Sequence, residues 1–141
     1  ALKYERGVAG GQFMSPPVID AGIDWATNHE RADGTRPIDD PAVRERLIRA
    51  QIDVEVCRGF AYHCADLYDR KVECTKEISM AKLYCGETAN WITDRCLQLH
   101  GGYGYMDEFP VSRAWRDARL ITIGGGTSEV MKEIISKYMG M

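Results

Sequence analysis

Apolar residues recur every three to four positions along two long stretches of the sequence, and this spacing limits the fold more than any other feature. The first stretch covers residues 43–67 and the second covers residues 78–99. Such spacing places apolar side chains on one face of an α-helix, whereas strands need alternation at every second residue. Alternating segments are nearly absent. The sequence therefore predicts an all-α fold, an antiparallel bundle of about four long helices.

Two adjacent prolines interrupt the first helical pattern, which covers residues 1 to about 29. They are Pro16 and Pro17. A proline inside a helix costs about 3 kcal/mol because it removes one hydrogen bond and clashes with the preceding turn. We therefore expect a kink or a local break at this point.

The boundaries of the other helices follow from capping and turn residues. Asp and Thr cap helix starts, proline favours the first helical turn, and glycine ends helices. A short helical segment is expected near residues 110–118. The loop 31–41 is expected to precede a helix that Asp39 or Asp40 caps before Pro41. The turn 69–75 is expected to precede a helix that Thr75 caps and that Gly101-Gly102 ends. The last helix is expected to begin at Thr127 or Ser128.

The chain of 141 residues carries a net charge of −3, which suits one domain and excludes some partners. A nucleic-acid partner would need a basic surface. No apolar run approaches the roughly 18 residues that would indicate a membrane span. Ala1 begins a helix-like pattern with neither an initiator Met nor a signal peptide. We interpret residues 1–141 as a single helical domain, the C-terminal fragment of a larger chain.

The five cysteines have irregular spacing and do not form a secreted disulfide pattern. Four fall within predicted helices, where they are expected to be small buried apolar residues in a reducing cytoplasm. No close pairs of Cys or His provide a zinc site, so no metal is predicted.

Two glycine-rich segments are the strongest candidates for a binding site. They are residues 101–104, GGYG, and residues 124–126, GGG. Neither fits the dinucleotide or nucleoside triphosphate motifs. One such segment alone would be interpreted as glycines that end or separate helices. Two segments, the second opening a helix, favour a flat or oxygen-rich ligand that lies close to the main chain.

Three linked motifs resemble a known family. Residues 98–105 read QLHGGYGY, residues 113–119 read RAWRDAR, and residues 126–129 read GTSE. In this order and separation they resemble the C-terminal helical domain of the acyl-CoA dehydrogenases. These flavoenzymes desaturate acyl-CoA thioesters between the α and β carbons with FAD as cofactor.

The resemblance implies a catalytic base in an unusual place. Many members carry the catalytic glutamate at the position of Gly125. The segment 2–6, LKYER, is similar to the long-chain and isovaleryl enzymes, in which an earlier helix supplies it. The resemblance thus implies that Glu5 is the base, with Arg6, Gly124 and Gly125 beside the substrate and the Gly125 N–H donating to the thioester oxygen. Glu5 and Gly125 should converge on one thioester. From the residues alone, Glu5 would be an ordinary carboxylate on a helix face.

The resemblance also implies a set of FAD contacts. Gln98, Gly101 and Gly102 are expected along the pyrophosphate or adenosine side of the flavin of a neighbouring subunit. The flavin-facing helix start is expected to comprise Thr127, Ser128 and Glu129.

One segment departs from the family. Arg31 holds the arginine position of the R-x-x-F-G motif, but the phenylalanine is absent and Pro41 stands near the usual glutamine. This departure keeps a second hypothesis open, a non-catalytic or half-site helical subunit of a heteromeric assembly. A third reading is an unrelated structural bundle.

The resemblance further implies an acyl-CoA substrate, an electron-transfer flavoprotein as acceptor, and a homo-oligomer, dimer or tetramer. The isolated fragment is expected to bind flavin weakly and to be inactive. Six charged and aromatic residues outside the predicted site are expected to be structural: Arg116, Asp117 and Arg119 as an ion network, and Tyr103, Tyr105 and Trp115 as packing residues.

Overall fold

The computed structural model describes residues 11–141, and within this range it contains helices and no strand. The elements are α1 (Gly11–Asn28), a 3-10 turn (Pro37–Asp39), α2 (Pro41–Asp69), α3 (Thr75–His100), α4 (Gly102–Tyr105), α5 (Pro110–Ile121) and α6 (Ser128–Met139). The predicted all-α class is confirmed. The short helix α4 was not predicted.

The long helix α3 is the central element of the bundle. Asp53 of α2 contacts Tyr84 of α3, and further along α2 the Cys57 carbonyl lies near Cys85, so consecutive long helices lie side by side. The short turn at residues 70–74 makes α2 antiparallel to α3. Helix α5 is also antiparallel to α3, because its end at Ile121 lies near Gly86 while the earlier Trp115 contacts the later Asp94.

The start of α2 follows the predicted capping chemistry. The Asp40 carboxylate accepts a hydrogen bond of 2.8 Å from the Ala42 N–H, and Pro41 occupies the first helical turn. Arg44 donates to the carbonyl oxygens of Ile38 and Asp39, which fastens the 3-10 turn to the helix. The loop and its N-cap are therefore confirmed.

The prediction that Thr75 caps α3 is wrong. Thr75 is already the first helical residue, and Cys74 occupies the N-cap position. The side chain that accepts from the helix start is Glu73, whose Oε1 lies 3.1 Å from the Thr75 nitrogen. Glu73 therefore stabilises the start of α3 by accepting from the Thr75 N–H, one of the N–H groups of the first turn that lack an intrahelical partner. The other end is as predicted, because Gly101 ends α3 at φ +58°.

Helix α1 continues through both prolines, so the expected local break is wrong, while the kink that was its alternative stays a prediction. Directly after them, Val18 and Ile19 are buried in the core. Burial of such side chains contributes about 1.5–3 kcal/mol each, which offsets the cost of a helical proline.

The main core lies between α1, α2, α3 and α5. Its buried members are Val18, Ile19, Ala26, Val43, Leu47, Ala50, Val54, Ile92, Cys96 and Val111. A second apolar cluster near the turn between α2 and α3 comprises Cys64, Cys74, Ile78 and Ala81. All five cysteines are free and buried, as the sequence predicts. None of the helices in residues 11–141 is long and apolar enough to span a membrane.

Candidate functional site

A cleft of about 260 Å³ brings together two of the predicted cofactor residues, Arg31 and Gln98. Arg31 follows α1, and Gln98 lies near the end of α3, so they are distant in sequence. Two further arginines, Arg46 of α2 and Arg95 of α3, line the same cleft. The apolar part of its wall comprises Ile19, Val43, Leu47, Ala50, Cys96 and Leu99.

A tight turn fixes the backbone at Arg31. The Arg31 N–H donates to the Thr35 carbonyl (2.8 Å), and the Gly34 N–H donates to the Arg31 carbonyl (2.9 Å). Gly34 has φ +80°, and the Asp33 carboxylate accepts from both the N–H and the hydroxyl of Thr35. These hydrogen bonds hold the pKa of Asp33 below its usual value. The segment that departs from the family motif is therefore an ordered turn.

The structural requirement for glycine differs among the three glycines at the end of α3. Gly101 has the positive φ of +58°. A Cβ on Gly104 would lie 2.4 Å from the Leu97 carbonyl oxygen, so α4 can pack on α3 only without a side chain there. A Cβ on Gly102 would meet nothing within 4 Å, and its φ is not positive. The described part of the fold therefore gives no steric reason for glycine at position 102.

An aromatic cluster closes this end of the bundle. Trp25 stacks between His29 and His100, with ring centroids 4.1 and 4.4 Å away. Burial lowers the pKa of His100, whose Nδ1 lies 2.6 Å from the Cys96 carbonyl oxygen. Tyr103 packs against Trp25, as predicted.

Of the other two predicted packing residues, Tyr105 is more exposed than Tyr103, and Trp115 is about as exposed. Tyr105 is 84% exposed, so its prediction as a packing residue is wrong within the described chain. It belongs to the short helix α4, which has only one buried residue. Trp115 is half-exposed and donates to Asp94 over 3.4 Å.

The predicted ion network is also organised differently. Arg116 pairs with Asp107 at 2.7 Å, and the Arg119 guanidinium donates to the hydroxyl of Thr122. Asp107 lies in the turn between α4 and α5, so the pair connects this turn to α5 rather than linking neighbours on one helix.

The second glycine segment forms a turn between α5 and α6. Gly125 and Gly126 have φ values of +68° and +109°. The Thr127 side chain caps α6 by accepting from the Val130 N–H over 3.3 Å. The N–H of Glu129 itself lowers the pKa of the Glu129 carboxyl group, as expected for an acid in the first turn of a helix. The predicted helix start at Thr127 or Ser128 is confirmed.

Lys82, which holds this turn, was not predicted from the sequence. Lys82 is 6% exposed, and its Nζ donates a hydrogen bond to the Gly126 carbonyl oxygen. Burial lowers the pKa of Lys82. The available signal was its position, since Lys82 falls between the buried Ala81 and Cys85 where the helical pattern predicts an apolar residue.

The predicted cofactor residues that the structure describes thus form two separate groups. Lys82 and Gln98 are 16 positions apart on α3, which corresponds to about 24 Å at 1.5 Å per residue. One group is at the cleft, with Gly101 and Gly102 just beyond it. The other is at the turn beside α6, where Gly124 and Gly125 are exposed. Glu5 and Arg6 lie outside the described residues, so their roles remain predictions.

The polar groups at the cleft and at the glycine turn are of the kinds that bind anions and carbonyl oxygens. Within residues 11–141, no three His, Cys, Asp or Glu side chains converge as metal ligands. The cleft supplies guanidinium groups and an amide, and the glycine turn supplies exposed main chain.

Comparison with known proteins agrees with the motifs. Residues 1–140 match the family model for the acyl-CoA dehydrogenase C-terminal domain. Subunit CarC of the caffeyl-CoA reductase-Etf complex of Acetobacterium woodii is 38% identical over 130 residues, covering 92% of this chain and 32% of that protein. The mitochondrial long-chain specific acyl-CoA dehydrogenase of Rattus norvegicus is 40% identical over 97 residues, covering 69% of this chain and 23% of that protein.

The fold is similar to solved structures as well. An acyl-CoA dehydrogenase from Geobacillus kaustophilus superposes with a TM-score of 0.89 at 27% identity, over 93% of this chain and 34% of that one. A helical domain with these motifs defines the C-terminal part of a flavin-dependent dehydrogenase. The chain belongs to the acyl-CoA dehydrogenase family, and it spans about a quarter to a third of the length of these relatives.

Proposed function

We propose that this domain serves an FAD-dependent acyl-CoA dehydrogenase that introduces a double bond between the α and β carbons of an acyl-CoA thioester. The observation that carries the proposal is the cleft that Arg31 shares with Gln98. The family motifs predict these two residues as flavin contacts from distant parts of the sequence, and the fold brings them together.

The residues of the first group suit the diphosphate and adenosine portion of FAD. Guanidinium groups form paired hydrogen bonds with phosphate oxygens, and Gln98 supplies both a donor and an acceptor. Gly102, which the described fold does not require to be glycine, would let the ligand approach the main chain. When bound, FAD accepts the hydrogen that leaves the β-carbon as hydride.

The residues of the second group suit the reacting end of the substrate. In this proposal Glu5 takes the α-proton, and the Gly125 N–H donates to the thioester oxygen as negative charge develops there. Loss of a comparable donor costs about 3–4 kcal/mol of transition-state stabilisation. Lys82 contributes indirectly, because it holds the Gly126 carbonyl and thereby the turn that carries Gly125.

The two groups are about 24 Å apart along α3, which suggests that they serve different portions of a cofactor or two cofactors in an oligomer. A homo-oligomer is further supported by an exposed apolar face on α2. Ile48, Ile52 and Val56 are 61%, 51% and 48% exposed at a spacing of four residues. Gly59 follows them in mid-helix, with nothing within 4 Å of an added Cβ. Exposed apolar faces of this kind commonly mark subunit contacts.

An electron-transfer flavoprotein is the proposed acceptor, supported by the name of the Acetobacterium woodii relative, a subunit of an Etf complex. The proposed location is the cytoplasm, since five buried free thiols suit a reducing compartment.

The experiment is an anaerobic titration of the full-length protein that contains this domain. The protein should purify with FAD, and acyl-CoA thioesters should bleach the flavin absorbance near its visible maximum. Bound FAD that no acyl-CoA of any chain length or branching reduces would overturn the proposed reaction, and protein without affinity for FAD would overturn the cofactor.

A further inference from the structure

We propose that Arg46 and Arg95 bind the diphosphate of an adenine dinucleotide together with Arg31 and Gln98, and that they compensate for the missing phenylalanine and glutamine of the family motif. The inference rests on the proposed function, because it assigns residues of this chain to the cofactor proposed there.

The two arginines line one cleft from two different helices. Arg46 belongs to α2, one position before the buried Leu47, and Arg95 belongs to α3, one position before the buried Cys96. Arg95 also precedes Gln98 by three residues, so the two side chains share a helix face. Each backbone is therefore fixed by a neighbouring core residue, while each guanidinium remains at the exposed rim.

The arginines of the cleft form no ion pair among the residues that the structure describes, although the charge of Arg31 acts on the neighbouring Asp33 carboxyl group. The ion pairs of residues 11–141 involve other arginines: Arg49, Arg58, Arg70 and Arg116. The guanidinium group of Arg95 lies over the Trp91 ring in a cation–π contact, with Cζ 6.0 Å from the ring centroid. Arg46 and Arg95 are thus available to an external anion, with Arg31 beside them in the same cleft.

Three like charges around a small cleft repel one another, and an anion with several oxygen atoms relieves this repulsion. A diphosphate is suited to three guanidinium groups because each can donate two parallel hydrogen bonds to phosphate oxygens. Lysine could supply the charge but not the paired geometry.

The remaining wall of the cleft is apolar and suits a flat ring. Val43, Leu47 and Leu99 provide much of this surface. The volume of about 260 Å³ lies just below the usual range for sites that enclose a whole ligand, which is about 300–1,000 Å³. The cleft therefore fits the adenosine diphosphate portion of a longer ligand. FAD and coenzyme A share this portion, and FMN lacks it.

The test is the affinity of full-length apo-protein for FAD, FMN and coenzyme A, measured by flavin fluorescence for the first two and by calorimetry for the third. The variants are R46Q, R95Q and the double variant. The control is R49Q, because Arg49 lies on α2 near Arg46 but pairs with Asp53 outside the cleft.

We expect each single variant to weaken FAD binding about tenfold or more, the usual effect of losing a charged hydrogen bond. FMN binding and the melting temperature of the apo-protein should not change, and the control should match the wild type. If coenzyme A binding weakens and FAD binding does not, the cleft is a substrate site and the cofactor assignment is wrong.

Wild-type FAD affinity in the double variant would overturn the inference while leaving the proposed function intact. Failure of the wild-type protein to bind FAD would instead overturn the proposed function itself. A lower melting temperature of the apo variants would indicate a structural role, and R46K and R95K then separate the two roles, because lysine should restore stability but only part of the FAD affinity.

Discussion

The ammonium group of Lys82, a buried residue in the first half of α3, donates a hydrogen bond to the main-chain oxygen of Gly126 in the turn before α6. The two residues are 44 positions apart. A buried ammonium is costly unless it is hydrogen-bonded, so this contact ties the glycine turn to the central helix. The turn carries Gly125, the proposed donor to the substrate.

The first prediction concerns the order of this turn. Lys82→Met keeps the side chain's approximate size but cannot donate to Gly126, and an unpartnered buried carbonyl costs about 1–3 kcal/mol. We expect faster hydrogen exchange at the amides of residues 124–127. Lys132→Met is the matched control, since Lys132 is exposed and pairs with Glu87. Equal exchange in both variants would contradict the role of Lys82.

The second prediction separates two glycines of one motif. Gly104→Ala places a Cβ 2.4 Å from the Leu97 carbonyl oxygen, and backbone atoms cannot move away easily. We expect a loss of about 1–3 kcal/mol in the free energy of unfolding, the usual range for overpacking. Gly102→Ala should change it by less than about 0.5 kcal/mol because the site is open. Urea unfolding of the 141-residue chain measures both, and equal losses would refute the packing argument.

The third prediction is a loss of stability at alkaline pH. Burial raises the pKa of Cys96 from 9.0 to about 12 and that of Cys64 to about 11. Above pH 9 the unfolded chain loses these protons while the folded chain keeps them, so unfolding releases protons and stability falls as pH rises.

The slope is about 1.4 kcal/mol per pH unit for each such thiol. Cys96→Ala should reduce the slope between pH 9 and 11 by about this amount, whatever its effect at neutral pH. Urea titrations at several pH values provide the slope, and an unchanged slope would show that Cys96 does not titrate as described.

The fourth prediction tests the apolar face of α2. Ile52→Glu introduces a charge at the centre of the face formed by Ile48, Ile52 and Val56. If this face lies in a subunit contact, the full-length protein should dissociate to a smaller species, because burying an unpaired charge is strongly unfavourable. Light scattering after gel filtration gives the mass. Val72→Glu, at an exposed apolar residue in a turn, is the control, and an unchanged mass for Ile52→Glu would exclude this face.

The parts of the fold that the sequence predicted are those that local chemistry determines. Asp40 before Pro41 and Gly101 after His100 set helix boundaries through their own backbone preferences. Thr75 does not cap α3 because it is itself the first helical residue, and Glu73 accepts from its N–H. Helix α1 continued through its prolines because core packing outweighed a local preference.

Residues of the site could be predicted from the sequence only where they belong to a family motif. Arg31 and Gln98 were expected from the family resemblance, and their shared cleft followed from tertiary packing that no local pattern describes. Arg46 and Arg95 lie on exposed faces of amphipathic helices, where arginine is common. The only sequence signal for Lys82 is its charge at a position where the helical pattern predicts an apolar residue. Residue spacing does not predict that it donates a hydrogen bond to Gly126.

The central claim is that the carboxylate of Glu5 removes the α-proton of a substrate held at the glycine turn. The most direct measurement is the anaerobic bleaching of flavin by acyl-CoA in full-length Glu5→Gln protein, beside Glu108→Gln as a control at an exposed carboxylate. The account predicts that the Glu5 variant retains its FAD spectrum and is not bleached, while the control reacts as the wild type does. Bleaching of the Glu5 variant at the wild-type rate would contradict it.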